Sequence, residues 1–145
     1  MQMIRRSLAL AAGAGLLAGC AMFGGGGSAV KLGGTLSGAQ EVPPVTTSGS
    51  GTVEATFDKQ TNKLTYRVVY QNLSGPATAG HFHGPAPAGQ NAGVVHGFQN
   101  AASPIQGEAT LTAAQAADLL AGRWYVNIHT RQHPGGEIRA QVTAR

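Results

Sequence analysis

Residues 51–70 read GTVEATFDKQTNKLTYRVVY, and their alternation decides the fold class. In Gly51–Phe57 the side chains of Val53, Ala55 and Phe57 fall on one face of an extended chain, and those of Thr52, Glu54 and Thr56 on the other. In Leu64–Tyr70 the apolar face is Leu64, Tyr66, Val68 and Tyr70. The polar run from Asp58 to Lys63 between them is turn material. Two half-buried strands joined this way predict a β-hairpin with one face on a core.

Working outward, the same period recurs in short pieces. Val30–Leu32 and Thr35–Leu36 suggest a first strand, interrupted at Glu41–Val45 by two prolines that cannot join a central ladder. Ala79–Gly84 leads into a Pro/Gly loop over 85–93, and Val94–Val95 and Gly107–Leu111 are further strand candidates. Thr112 and Gln115 have capping-box spacing ahead of good helix formers, and Gly122 stops the run, which predicts one short helix near 112–121. Arg123–Thr130 alternates with Trp124, Val126 and Ile128 inward and Tyr125, Asn127 and His129 outward. Glu137–Val142 closes the sheet after a turn at His133–Gly136, with Glu137 and Arg139 read as a solvated face. About seven short strands at this spacing predict an all-β domain, a β-sandwich or flattened barrel.

The N-terminus reads as an address. Arg5-Arg6 precede an apolar run too short to span a bilayer, which ends in Leu17-Ala18-Gly19-Cys20. Small residues ahead of a cysteine resemble the bacterial lipobox, so 1–19 is expected to be a lipoprotein signal peptide and Cys20 the lipidated residue. Residues 20–28 then form a Gly-rich tether and 29–145 the domain. Ala21 after the cysteine favours the outer membrane by resemblance to lipoprotein sorting. The expected location is therefore the cell envelope, facing periplasm or exterior, with the lipid bilayer as a partner and an envelope protein as a further one. Removing Arg5 and Arg6 with the leader cuts the formal charge from +4 to +2. No basic stripe interleaved with aromatics remains, so nucleic-acid binding has no support.

All five histidines lie after residue 80. His81 and His83 are two apart on an extended segment and leave the same face, with Phe82 opposed. His129 leaves its strand opposite the Trp124/Val126/Ile128 face. Three imidazoles outside the packed interior suit copper or zinc, with His96 as a fourth ligand and His133 as a weaker candidate. Cys20 and the methionines lie in or beside the leader, so a sulfur-ligated site is excluded. The alternative is structural: histidines and Asn127 bonded to main-chain oxygens, pinning the Pro/Gly loop to the last hairpin. No nucleophile motif or phosphate loop is present, and six acidic residues at strand or turn positions point to no catalytic pair. No catalytic residue is assigned.

Gly80-His81-Phe82-His83-Gly84-Pro85, the stretch from Leu119 to Thr130, the run Pro134 to Gln141, and the opening Leu36–Val45 resemble the CHRD domain, named after chordin. The resemblance covers about Lys31 to Val142. It implies a β-sandwich of immunoglobulin-like appearance and says little about activity. The order His81, His83, His96, His129 is also similar to the copper ligands of copper-zinc superoxide dismutase, another β-barrel. That likeness implies copper binding. A second histidine-and-aspartate cluster for zinc and an intradomain disulfide are missing, which argues against dismutase chemistry.

Overall fold

A computed structural model describes residues 27–145. The leader, Cys20 and most of the Gly-rich tether lie outside the described residues. The elements in chain order are β1 (Ala29–Ser37), a 3-10 turn (Gly38–Gln40), β2 (Ser50–Asp58), β3 (Lys63–Gln71), β4 (Ala77–His83), β5 (Val94–Gly97), β6 (Ile105–Thr110), α1 (Ala113–Leu120), β7 (Trp124–Thr130) and β8 (Ile138–Ala144). The strands form one antiparallel sheet in the order β5-β4-β7-β8-β1-β2-β3-β6. The sheet curls into a nearly closed barrel, which meets the expectation of an all-β sandwich or barrel, with eight strands where about seven were expected.

The expected hairpin is β2–β3, in continuous register from Ser50↔Gln71 to Asp58↔Lys63. Val53, Ala55, Phe57, Leu64, Tyr66 and Val68 are all buried inside the barrel. The helix forms where the capping box places it: Thr112 Oγ1 accepts from Gln115 N, and the Gln115 side chain accepts from Thr112 N. Gly122 follows it with φ +71°, a conformation glycine adopts without a Cβ penalty. Ala116 and Leu119 join the core with Leu111 and Trp124.

The curl leaves β5 and β6 as the two edges, and aromatic rings span the seam. Tyr66 of β3 packs against Phe82 of β4 at 5.1 Å and against Phe98 at 5.1 Å between ring centroids. Its hydroxyl makes a 2.9 Å hydrogen bond with His96 Nε2 of β5.

One expectation about β7 and β8 fails. Glu137 and Arg139, read as solvated, are 0% and 1% exposed. Two irregular segments cover the outer face of these strands. Loop residues 84–93 are fastened there by Arg139 Nη1 donating to Asn91 Oδ1, Gln141 Nε2 donating to Ala86 O, and Ala92 N donating to the Tyr125 hydroxyl. Asn91 Nδ2 donates in turn to Val42 O, tying the loop to the Pro-rich segment after β1. Tyr125 and Asn127 consequently point away from the barrel interior yet are buried. Alternation alone shows which way a side chain points. It does not show what the chain later lays over it.

Candidate metal centre

The site lies on the covered outer face, where β4 runs beside β7. Alternation along β4 sends Phe82 into the barrel at 0% exposure and leaves His81 and His83 outside. Along β7, Ile128 is inside and Asn127 and His129 outside. The register pairs Ala79 with His129, His81 with Asn127 and His83 with Tyr125. His129 is therefore a diagonal neighbour of His81, within reach of a long side chain on the same face.

The rings meet as this register requires. The His81 and His83 centroids are 5.4 Å apart, His81 and His129 4.9 Å, and His83 and His129 6.4 Å. One ring nitrogen from each of the three lies within 4.8 Å of the other two. His81 Nδ1 and His129 Nε2 are 3.1 Å apart. Two metal–imidazole bonds of about 2.05 Å separate their nitrogens by about 2.9 Å at a right angle and about 3.3 Å at the tetrahedral angle. The observed pair lies between these values.

Oxygens lie against three of the four remaining nitrogens, one on His129 and both on His83. His129 Nδ1 donates to Pro134 O at 2.8 Å, so its Nε2 presents a lone pair toward His81. His83 Nδ1 lies 3.0 Å from Ala92 O, and its Nε2 lies 3.0 Å from Asn127 Oδ1. Both oxygens accept and a neutral imidazole has one N–H, so only one of these contacts is a hydrogen bond while His83 is neutral. The His83 ring stacks flat on Tyr125, with centroids 4.8 Å apart and planes at 1°. The Arg139 guanidinium carbon lies 3.4 Å from the Tyr125 ring centroid. His83 is 9% exposed, and His81 and His129 are half-buried at the mouth.

The electrostatics favour uncharged rings. Burial, then the neighbouring His129 and His83, push the His81 pKa below the ordinary imidazole value. Burial also lowers His83, helped by His129 and Arg139 and opposed by the Ala92 and Asn127 oxygens. Neutral imidazole is the form that binds metal. The donor set, three nitrogens and no sulfur, suits copper or zinc.

His96 and His133 are not brought to this group. His96 lies across from Phe82 in the β4–β5 ladder, so it shares the face opposite to His81 and His83. There it bonds Tyr66, and its pKa is lowered by burial. An even-odd count from His81 and His83 does not carry across the Pro/Gly loop, so the sequence held no signal for its side. His133 sits in the β7–β8 turn, its main chain bonded to Thr130, and it is outside the cluster of three.

Sequence reasoning also missed Glu41. Its carboxyl is 5% exposed and lies beside Asn127 and Gly136. Burial raises its pKa to about 7, against the opposing pull of the Arg139 charge, the Asn127 side chain and the Val42 main chain. A glutamate between a loop and two prolines gives no periodic signal of burial.

Fold and site together define a small all-β, barrel-like domain with a histidine cluster beneath a loop on the outside of its sheet. The family model for the CHRD domain matches residues 32–142. The chain belongs to the CHRD family. No curated protein and no solved structure matches it.

Proposed function

We propose that this chain is a cell-envelope lipoprotein whose CHRD domain binds a metal ion, most readily copper, through His81, His83 and His129, for metal handling or sequestration. One observation carries the reading: three imidazoles from two strands, far apart in sequence, offer nitrogens within 4.8 Å of one another. Hydrogen bonding of His129 Nδ1 to Pro134 O supports it, because a main-chain acceptor on one nitrogen orients the other as a ligand. Zinc suits the same donors. No catalytic role is assigned, and the lipid anchor rests on the Cys20 motif.

Titration of the purified chain with Cu(II), followed by electron paramagnetic resonance, tests the metal site. One ion per chain with nitrogen hyperfine structure is expected, and it should be lost in His81→Ala/His83→Ala/His129→Ala. Occupancy should fall below about pH 6, where imidazole protonates. An unchanged stoichiometry in the triple variant refutes the site. Membrane fractionation of Cys20→Ser tests the anchor, with release into the soluble fraction expected.

A second reading has its own observation. His83 has an oxygen at hydrogen-bond distance from each nitrogen, one on the Pro/Gly loop and one on β7. A purely structural histidine would look the same, in a domain that serves as a protein-interaction module. Under that reading His83→Ala lowers thermal stability and the wild-type chain takes up no ion.

A further inference from the structure

Behind the histidine cluster lies a buried polar chain. Asn127 is 3% exposed. Its Nδ2 donates to Gly135 O at 3.3 Å, which turns Oδ1 toward His83 Nε2. On the Nδ2 side stands Glu41, whose Oε1 is buried and makes no hydrogen bond of standard geometry. Gly136 lies between them, and a Cβ there would collide with both Glu41 Oε1 and Asn127 Nδ2. Carboxyl, amide and imidazole are thus stacked in series from the segment after β1, through β7, to β4.

A buried carboxyl without a full set of partners is costly, and the nearby cation does not claim it. Arg139 donates to Asn91 Oδ1 and Gln90 O. The ion pairs among the described residues are Lys63–Glu108 and Arg123–Asp118. Glu137, next to Gly136, has its oxygens taken by Thr47, Ser74 and Thr130. The groups that bear on Glu41 are therefore Arg139 from β8 and, beyond Asn127, His83 from β4. Three neutral imidazoles bring no negative charge to a cation, and Glu41 is a buried acid separated from His83 by the Asn127 amide.

We propose that Asn127 and Glu41 form a relay behind the histidine cluster, in which the amide positions the His83 ring and the carboxyl supplies the buried negative charge that balances a bound cation. The inference rests on the metal-binding reading above. Both residues are positioning residues and neither touches the ion. When the cation binds, the protonated fraction of Glu41 gives its proton to the buffer, leaving a carboxylate against Asn127 Nδ2. Because burial raises the carboxyl toward neutrality before binding, part of the proton release on binding near neutral pH should come from it.

The test is calorimetric titration of the full chain with Cu(II) alone, in buffers of different ionisation enthalpy, for wild type, Glu41→Gln and Asn127→Ala. Glu41→Gln keeps the shape and removes the charge. It should weaken copper binding about 10- to 100-fold, the usual effect of losing a group that orients or balances a ligand. It should also release fewer protons per ion than wild type at pH 7. Asn127→Ala should weaken binding to a similar degree and alter the resonance spectrum of the bound copper. Melting of Glu41→Gln at pH 8 should be no lower than wild type, since no charge has to be buried, and this separates lost affinity from lost fold. Wild-type affinity and proton release in Glu41→Gln overturn the relay and leave the metal site standing. A wild-type chain that takes up no copper overturns both.

Discussion

The carboxylate of Glu137 is fully buried and accepts four hydrogen bonds, from Thr47 Oγ1, Ser74 N, Ser74 Oγ and Thr130 Oγ1. Burial alone would raise its pKa, and these donors outweigh burial and hold it at about 2. A depressed carboxyl pKa contributes stability above its unfolded value of 4.5, and that contribution fades as pH falls toward 2. Urea midpoints measured across this window should drop in wild type and vary less in Glu137→Gln. Glu137→Ala should cost about 3 kcal/mol at pH 7, because it strands buried hydroxyls that the charge now satisfies. Glu41, the other buried acid, has few donors and moves the opposite way. The sequence shows six acids and nothing that separates these two, since the donors come from residues up to 90 positions away. His81, His83 and His129 were legible because an i, i+2 pair and a strand parity are local facts.

β7 and the turn that follows it carry His129, the Asn127 amide behind the cluster and the Pro134 carbonyl that orients His129. Gly136 in that turn has φ +127°, a region that L-residues rarely adopt, and it faces Glu41 and Asn127 at close range. Gly136→Ala should therefore lower stability by about 1–3 kcal/mol and weaken copper binding as well. Gly135→Ala, next to it, meets open space and is the control that should change neither in a thermal melt and a copper titration. At this scale the hairpin β2–β3 and the capped helix were readable, because each rests on a period or on a cap four residues long. β7 was readable by half. Its inward face followed from Trp124, Val126 and Ile128, whereas burial of Tyr125 and Asn127 came from loop 84–93 lying over them.

For the whole molecule, the barrel presents two separate histidine environments on opposite faces of β4 and β5. The inner one is the seam, where Tyr66 and His96 bridge the edges of the sheet. Tyr66→Phe removes one partly buried hydrogen bond and should lower stability by about 1 kcal/mol in denaturant unfolding. His96→Phe keeps an aromatic ring at the seam and should leave copper stoichiometry and its resonance spectrum unchanged, because His96 does not join the cluster of three. A change in the copper signal of His96→Phe would restore the four-histidine arrangement inferred from sequence order.

The sequence by itself determined the all-β class, the capped helix, the CHRD family and the side of the strand from which His81, His83 and His129 emerge. Each follows from spacing within a few residues or from a motif. Tertiary structure decided which rings meet, that His96 turns inward, and that Glu41, Glu137 and Arg139 are buried. Those outcomes depend on strand register and on how loops drape over the sheet, and both are fixed by contacts between residues far apart along the chain.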